Sequence, residues 1–358
     1  MILVQGITQI YMKILILYYE LAAYNIICFE QLTGFKEVHV VAYPVNKEAP
    51  FDFLVSDRVK IHRRNEMDIN SLRELYASVK PCITFCAGWS DRDYLTLSKE
   101  AKNSKTILGF DNQWEANLKQ RIGCLVKRKQ FQKIFDYAFV PGEKQKEFAN
   151  KLGFVDSKIF LGAYSCNYAY FNELGLKAKE EKKNNFPKRF LYVGRYIEHK
   201  GIYDMWDAFI QIENEHPNDW ELWCIGIGDE FENKIEHEKI KHFGFVQPSE
   251  MEYFLNNTGV FILPSHFEPW GVVTHEFASA GFPLILSDKI GAGAKFLDNG
   301  YNGYRFSSNN LQELKKAMQN VINLSNKELL EMGEVSMRKA EEITPVKWAN
   351  TLMKLLND

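Results

Sequence analysis

The sequence of 358 residues lacks the cysteine patterns that mark a disulfide-rich domain or a structural metal site. It contains six cysteines, none of them in a CxxC pair, and they are too scattered for a disulfide framework in a chain of this length. We therefore expect reduced thiols and a cytoplasmic protein. The cysteines are Cys28, Cys82, Cys86, Cys124, Cys166 and Cys224.

Long apolar runs are also missing. The most apolar stretch, from Ile14 to Phe29, is interrupted by Glu20 and Asn25. Since a helix that spans a bilayer needs about 20 predominantly apolar residues, this stretch is not expected to cross a membrane.

The chain has no excess of charge of one sign. Its 44 basic residues oppose 46 acidic ones, which leaves a net charge of −2. This balance argues against nucleic acid as a partner. An anionic partner would have to be met by a local basic patch.

Short apolar segments alternate with helix-forming segments along the whole chain, which predicts the α/β class with mostly parallel sheets covered by helices. In the first half we predict a helix at Tyr24–Leu32 and strands at Met12–Leu17, Val38–Ala42, Arg58–His62, Cys82–Ala87, Thr106–Phe110 and Tyr137–Val140. In the second half we predict a helix at Ile202–Glu215 and strands at Phe190–Val193, Leu222–Ile227, Gly244–Val246, Val260–Leu263 and Pro283–Leu286.

The chain length favours two domains. Residues 175–188 read GLKAKEEKKNNFPK, which is charged and nearly free of apolar residues, and this composition predicts a linker. The predicted domains are therefore residues 1–174 and 188–343. In parallel sheets of this kind, ligands lie beyond the carboxyl ends of the strands, so the loops that follow the strands are the places to look for chemistry.

The first such loop reads VGRYIEHKG, from Val193 to Gly201, between a predicted strand and a predicted helix. Arg195 and Lys200 bracket the approach to the helix N-terminus, where free N–H groups and the helix dipole favour an anion. A diphosphate would suit this position. The alternative is that both cations are simply solvated, as most surface cations are.

The second loop reads PSHFEPWGVVTHEFASAG, from Pro264 to Gly281. Glu268 lies in the loop, and Glu276 lies eight residues later, on the second turn of a predicted helix. A carboxylate at Glu276 could accept both hydroxyls of a ribose, and Glu268 could accept a sugar hydroxyl. The alternative for Glu276 is an ordinary solvated helix residue.

Together these motifs resemble glycosyltransferase family 4, the retaining transferases of the GT-B fold. Glu268 and Glu276 form the family's EX7E pattern, within LPSHFEPWGVVTHEFASAGFPLILSD, and VGRYIEHKG supplies the basic loop. The segments GFVQPSEMEYFLNN and GAGAKFLDNGYNGYRF add to a resemblance that covers nearly all of Arg189–Phe306. It implies two facing Rossmann-like domains with a cleft between them, and a C-terminal helix, residues 345–358, that packs back on the first domain.

The resemblance further implies that the second domain holds a nucleotide-diphosphate sugar. Arg195 and Lys200 would hold the diphosphate, and Glu276 the ribose. Glu268 would hold the transferred sugar. The other donor contacts that it implies are Gly194, Val246, Trp270, Gly271 and Val272. No metal and no cofactor are expected, because side-chain cations would stabilise the leaving diphosphate.

The first half departs from the family pattern. The loop after the first strand has no glycine, and Asp111 stands where many members carry a histidine. Asp111 could orient the donor sugar or the acceptor hydroxyl. The implied catalytic set is therefore Glu268, Arg195, Lys200 and Asp111.

Three rival signals are weak. Asp91 and Asp93 form a DxD pattern, but Ser90 and Asp93 are typical of a helix N-cap. The GIGDEF segment at Gly226 lacks the third glycine of a dinucleotide fingerprint. His275 lacks the second histidine of a zinc helix, since Ser279 occupies that position.

Residues 116–134 read ANLKQRIGCLVKRKQFQKI, a basic amphipathic segment without acidic residues. Such a helix could rest on anionic lipid or contact the acceptor, and the alternative is a solvated helix face. A peripheral position on the cytoplasmic membrane face would suit a lipid-linked acceptor. The cations are Lys119, Arg121, Lys127, Arg128, Lys129 and Lys133.

We predict a retaining, metal-independent glycosyltransferase that moves a sugar onto an acceptor hydroxyl of a growing or lipid-linked glycan. A catalytically silent sugar-nucleotide-binding subunit is one alternative, because the acceptor half departs from the family. A sugar-nucleotide epimerase of the GT-B fold is another. Only the transferase would release nucleotide in response to an acceptor.

Overall fold

The computed structural model describes residues 12–44 and 55–356. The chain divides into two compact units. Among the described residues, unit 1 comprises residues 12–44, 55–165 and 345–356, and unit 2 comprises Cys166–Thr344.

Unit 1 contains a seven-stranded parallel sheet in the described part of the chain, with the strand order β3-β2-β1-β4-β5-β6-β7. Its strands are β1 (Lys13–Glu20), β2 (Glu37–Tyr43), β3 (Val59–Arg63), β4 (Ile83–Ala87), β5 (Lys105–Gly109), β6 (Tyr137–Val140) and β7 (Ile159–Leu161). Its helices are α1 (Ala23–Glu30), α2 (Ile69–Val79), α3 (Arg92–Glu100), α4 (Leu118–Ile134), α5 (Glu143–Lys151) and the C-terminal α13 (Pro345–Lys354).

The central strand β1 shows why this sheet is covered on both faces. Successive side chains of a strand point to opposite faces. Ile14 and Ile16 therefore join one buried cluster, and Leu15 and Leu17 join the other. The C-terminal helix α13 belongs to the first cluster, in which its Trp348 packs against Phe29 and Phe139.

Unit 2 contains a six-stranded parallel sheet among the described residues, with the order β10-β9-β8-β11-β12-β13. Its strands are β8 (Arg189–Val193), β9 (Glu221–Ile225), β10 (Ile240–His242), β11 (Val260–Leu263), β12 (Leu284–Ser287) and β13 (Gly303–Phe306). Its helices are α6 (Tyr168–Asn184), α7 (Ile202–Glu215), α8 (Glu252–Asn257), α9 (Val272–Ser279), α10 (Gly293–Phe296), α11 (Leu311–Ile322) and α12 (Asn326–Ala340). The predicted α/β class with two parallel-sheet domains is confirmed.

The prediction of a linker at residues 175–188 is wrong, because most of that segment lies in helix α6. The Asn167 side chain caps this helix, and Leu174 and Ala178 are buried on its inner face. Gly175 packs so closely that an added Cβ would lie 2.5 Å from the backbone of Ala280. Apart from the buried Lys182, the charged residues of the segment lie on the outer side of the helix, and a charge count cannot distinguish such a face from a linker. The division between the units falls at residues 165 and 166 instead.

Two local predictions are also wrong. Residues 244–246 are loop, and the edge strand is the preceding β10. Asp91, rather than Ser90, caps α3, because its carboxylate accepts the N–H groups of Asp93 and Tyr94. No helix in the described part of the chain has the length and apolar character that crossing a bilayer requires.

Candidate active site

The basic loop and the acidic loop leave the sheet of unit 2 at neighbouring strands. Strand β8 pairs with β9 on one side and with β11 on the other. All of these strands are parallel, but the side of the sheet on which successive strands are added changes at β8. In open parallel sheets this switch point is where ligands bind. Arg195 and Lys200 follow β8, and Glu268 follows β11.

The turn after β8 is held by a tyrosine that the sequence did not single out. The Tyr192 hydroxyl donates to the Arg195 carbonyl at 2.8 Å. The Gly194 N–H donates to the Ile225 carbonyl at 3.0 Å. A Cβ at Gly226 would lie 1.9 Å from the Gly194 carbonyl oxygen, so only glycine allows this approach. The turn leaves the Arg195 side chain exposed to solvent.

Backbone contacts join the β8 loop to the β11 loop. The His266 N–H donates to the His199 carbonyl at 2.8 Å. Gly201 precedes α7 at φ 70°, and an added Cβ would lie 2.3 Å from the Pro264 carbonyl oxygen. The His266 ring lies 2.8 Å from the Asp204 carboxylate on α7, which links the same two segments a second time.

This junction brings Lys200 and Glu268 together as an ion pair. Their side chains are only 13% and 15% exposed, so the pair is much less screened than a surface pair. Nearby, desolvation and the charges of Lys200 and Arg195 lower the pKa of His199. Arg195 and Lys200 thus place two positive charges near His199, and the Glu268 carboxylate opposes them.

The position of Glu268 is set by the loop after β12. Its N–H donates to the Lys289 carbonyl at 3.2 Å, and its own carbonyl accepts the Gly291 N–H at 3.0 Å. Gly271 then turns the chain at φ 86° into α9, and a Cβ at Gly271 would lie 2.8 Å from Cγ of Glu268. The buried Trp270 joins this loop through its carbonyl, which accepts the Ala292 N–H at 2.8 Å.

Glu276 lies on the second turn of α9 and is partly buried. Burial raises the pKa of its carboxyl to about 7. Within residues 12–44 and 55–356 its carboxylate has no ion pair and no side-chain hydrogen bond. This differs from the solvated helix residue of the alternative interpretation, because a carboxylate loses hydration here without gaining a partner.

The neighbouring His275 has a structural role. One ring nitrogen is contacted by the Cys166 N–H at 3.2 Å, and the other lies 3.0 Å from the Ala340 carbonyl. Burial lowers the pKa of His275 to about 4, so the ring is neutral near pH 7.

Val246 is half-buried in the loop after β10. The Gly226 N–H donates to the Gly244 carbonyl at 2.7 Å, which ties this loop to the one after β9. The segment containing Val246 therefore lies at the same carboxyl edge of the sheet as Arg195.

Asp111 lies in unit 1, in the segment that follows β5. Its carbonyl accepts the Gln145 side-chain amide at 3.1 Å. Burial is the main cause that raises the pKa values of Tyr18 and Tyr164, and the negative charge of Asp111 adds to the rise of both.

The other carboxylates of unit 1 that the sequence singled out are already paired. The Arg64 guanidinium donates to Asp91 at 2.7 Å and to Asp93 at 2.7 Å, and the Tyr43 hydroxyl donates to Asp91 at 2.9 Å. The DxD pattern is thus part of a hydrogen-bonded cluster that caps α3.

Several residues of the site could not be chosen from the sequence. Tyr192, His199, Asp204 and His266 hold the loops through contacts that span up to 67 residues, and although His199 and His266 lie within the two motifs, nothing in the motifs indicates these contacts. Gly201 and Gly226 are the ones that a sequence signal could have found, because glycine often follows a strand or precedes a helix where the chain approaches another backbone.

Solved structures identify the class of fold. The two units are the domains of a GT-B fold. HepE from Anabaena, solved with UDP and glucose, has a TM-score of 0.73 to this chain at 13% identity, with 97% of this chain and 100% of that chain covered.

The family match lies in the second half of the chain. Residues 176–336 match the profile of the family described as glycosyl transferases group 1. The chain is 31% identical to a glycogen synthase of Mycobacterium tuberculosis over 144 residues, 38% of this chain and 34% of that protein. It is 27% identical over 198 residues, half of each chain, to the capsular polysaccharide biosynthesis glycosyltransferase CapM of Staphylococcus aureus. The chain thus spans between about a third and a half of the length of these curated relatives.

Proposed function

We propose that this protein is a retaining glycosyltransferase of family 4 that moves a sugar from a nucleotide-diphosphate sugar to a hydroxyl of a growing or lipid-linked glycan. The observation that carries the proposal is the Lys200–Glu268 ion pair at the switch point, together with the Glu276 carboxylate on the helix that follows, which has no side-chain partner among the described residues. The group 1 match of residues 176–336 contains all three residues.

The diphosphate binds between the β8 loop and the N-termini of α7 and α9. Arg195 and Lys200 supply positive charge, and the first turns of both helices supply free N–H groups. When the anomeric C–O bond breaks, the leaving diphosphate gains negative charge. Because these groups already face it, they stabilise the transition state more than the ground state. Side-chain cations thus take the part that a divalent metal takes in other transferases, and the proposed reaction needs no metal.

Glu268 accepts a hydrogen bond from a hydroxyl of the transferred sugar. Its ion pair with Lys200 fixes the position of the sugar relative to the diphosphate. The amides of Trp270, Gly271 and Val272 lie at the start of α9, beside the same groups. Val246 contacts the base. Asp111, in the first domain, orients the donor sugar or the acceptor hydroxyl.

The relatives support this donor and acceptor chemistry. HepE was solved with UDP and glucose, and also with UDP-glucose. CapM is named for capsular polysaccharide biosynthesis. UDP and UDP-glucose are therefore the first donor ligands to test.

Acceptor-dependent release of nucleotide tests this function. The protein is incubated with UDP-glucose and other nucleotide sugars, in the presence of a chelator, with and without an extract of lipid-linked and soluble glycans. Nucleotide release that requires the extract, with the anomeric configuration of the sugar retained in the product, supports the proposal. Release of nucleotide or isomerised sugar without an acceptor indicates an epimerase, and binding without turnover indicates a silent subunit.

Glu276 predicts a pH dependence of nucleotide binding. Hydroxyl donors of a ribose favour the carboxylate form, so binding lowers a pKa that burial has raised to about 7 in the free protein. Affinity for UDP should therefore rise by up to about tenfold per pH unit as the pH approaches about 7, and should level off above that pH. Calorimetric titrations of UDP into the protein at a series of pH values on both sides of 7 measure this affinity.

The matched control is Glu276→Gln, which keeps the side chain's shape and removes its titration. The nucleotide's own phosphate also titrates, and that contribution remains in the variant. If wild type and variant show the same pH profile, Glu276 does not contact the nucleotide.

A further inference from the structure

Helix α4 presents an apolar stripe to solvent. Leu118, Ile122, Leu125 and Val126 are 73%, 53%, 80% and 71% exposed. Their positions, four, three and one residues apart, place them on one side of the helix, opposite the buried Cys124 and Phe131. Single exposed apolar side chains are common, but a contiguous group on one face marks a contact surface.

The same helix concentrates positive charge. Six lysines and arginines lie between residues 119 and 133 with no acidic residue among them. Among the described residues none of these six forms an ion pair, although Arg121 donates to the Ala116 carbonyl at 2.9 Å and Lys127 lies over the Phe131 ring. The outer face of α4 is therefore both apolar and cationic, within a chain whose net charge is −2.

A surface cavity of about 460 Å³ opens beside this face. Its lining includes three cations and no carboxylate, and Cys124 and Leu125 give it apolar walls. The Trp114 indole forms one side, where it packs on Phe148 and lies beneath the Lys151 ammonium at 5.8 Å. The lining residues are Trp114, Arg121, Cys124, Leu125, Arg128 and Lys151.

We propose that the outer face of α4 and this cavity form a docking surface for an anionic phospholipid membrane, with a lipid phosphate held in the cavity. A helix with an apolar face flanked by lysine and arginine lies in the membrane interface with its apolar side chains among the lipid chains. Arg121, Arg128 and Lys151 match the charge of a phosphate, and Leu125 at the cavity rim reaches the lipid chains.

The surface also has a place in the reaction. The segment that leads from Asp111 to Trp114 continues into α4, so a candidate catalytic residue and a wall of the cavity are three residues apart in sequence. Docking would bring this edge of unit 1 close to the bilayer, where a lipid-linked acceptor would be presented. This last step depends on the proposed transferase function, whereas docking itself does not.

Co-sedimentation with vesicles tests the proposal. The full chain is mixed with phosphatidylcholine vesicles that either contain or lack phosphatidylglycerol, at low and at high salt. Binding should require phosphatidylglycerol and should weaken as salt screens the charges. Binding that does not depend on phosphatidylglycerol, or an absence of binding at low salt, would overturn the proposal.

Paired variants locate the surface. Arg121→Gln with Arg128→Gln should reduce vesicle partitioning about thirtyfold. Each cation near an anionic membrane strengthens membrane binding by about the same factor, and this pair of substitutions removes two of them. Leu118→Ser with Leu125→Ser should reduce it about tenfold or more, because both side chains enter the apolar phase. The controls, Lys316→Gln with Lys327→Gln and Val155→Ser with Leu176→Ser, change exposed basic and apolar residues elsewhere and should bind as the wild type does.

Two further measurements separate the outcomes. UDP binding should be unchanged in all four paired variants, so that failure of docking is distinguishable from failure of the donor site. Sedimentation velocity without vesicles checks for a second copy of the chain as the occupant. If the wild type forms a dimer and the Leu118→Ser, Leu125→Ser variant is a monomer, the membrane assignment is overturned.

Discussion

Replacing Lys200 with alanine is expected to lower the turnover number of the transferase by about a hundredfold to a thousandfold. The ammonium group lies where the leaving diphosphate gains charge, and removal of one preorganised donor to a developing anion costs about 2.7 to 4 kcal/mol. The variant also leaves Glu268 without its cation at a position that is only 15% exposed. Steady-state kinetics of nucleotide release with an active donor and acceptor measure the effect.

Lys315→Ala is the matched control. Lys315 is 11% exposed and forms an ion pair with Glu215 in the same unit, away from the loops of the site. Its loss should change stability without changing the turnover number. Equal losses of activity in both variants would mean that Lys200 acts only through the fold.

Replacing Gly201 with alanine is expected to destabilise unit 2 by about 2 to 5 kcal/mol. A left-handed conformation costs a residue with a Cβ about 1 to 2 kcal/mol, and overpacking against the Pro264 carbonyl adds about 1 to 3 kcal/mol. Since Gly201 holds the β8 and β11 loops together, activity should fall in the protein that remains folded. Denaturant unfolding and kinetics report the two effects.

Gly300→Ala separates these contributions. Gly300 has a φ of 84°, and nothing lies within 4 Å of its added Cβ. It should therefore show only the conformational cost, about 1 to 2 kcal/mol, with unchanged activity. If Gly201→Ala is no more destabilising than Gly300→Ala, the close approach of the two loops does not contribute to stability.

The sequence predicted most strands well because parallel strands buried on both faces are short, uniformly apolar and bounded by polar segments. Strand Val260–Leu263 and helix Ile202–Glu215 match the predicted bounds. The linker prediction failed because the buried positions of helix α6 within residues 175–188 are Gly175, Ala178 and Lys182, which form no recognisable apolar pattern. The strand predicted at residues 244–246 is displaced because the edge strand β10 is only three residues long and carries a lysine and a histidine.

The sequence predicted which residues belong to the site, but it did not predict which of them contact one another. Lys200 and Glu268 each follow a strand, which made them separate candidates. Their pairing depends on β8 and β11 being neighbours, although the last residues of those strands, Val193 and Leu263, are 70 positions apart in the sequence. That Glu276 has no side-chain partner in the described part of the chain could not be predicted, since it depends on how its neighbours fill the space around α9.

The most direct test of the nucleotide-sugar site is calorimetric titration of UDP and other nucleoside diphosphates into the wild type, Lys200→Ala, Glu276→Ala and Lys315→Ala. We expect one nucleotide family to bind the wild type and Lys315→Ala equally, and to bind Lys200→Ala and Glu276→Ala at least about tenfold more weakly, since each loses a charge-assisted contact. Equal binding by all four proteins, or binding of none of these nucleotides to the wild type, would contradict a donor site formed by Lys200 and Glu276.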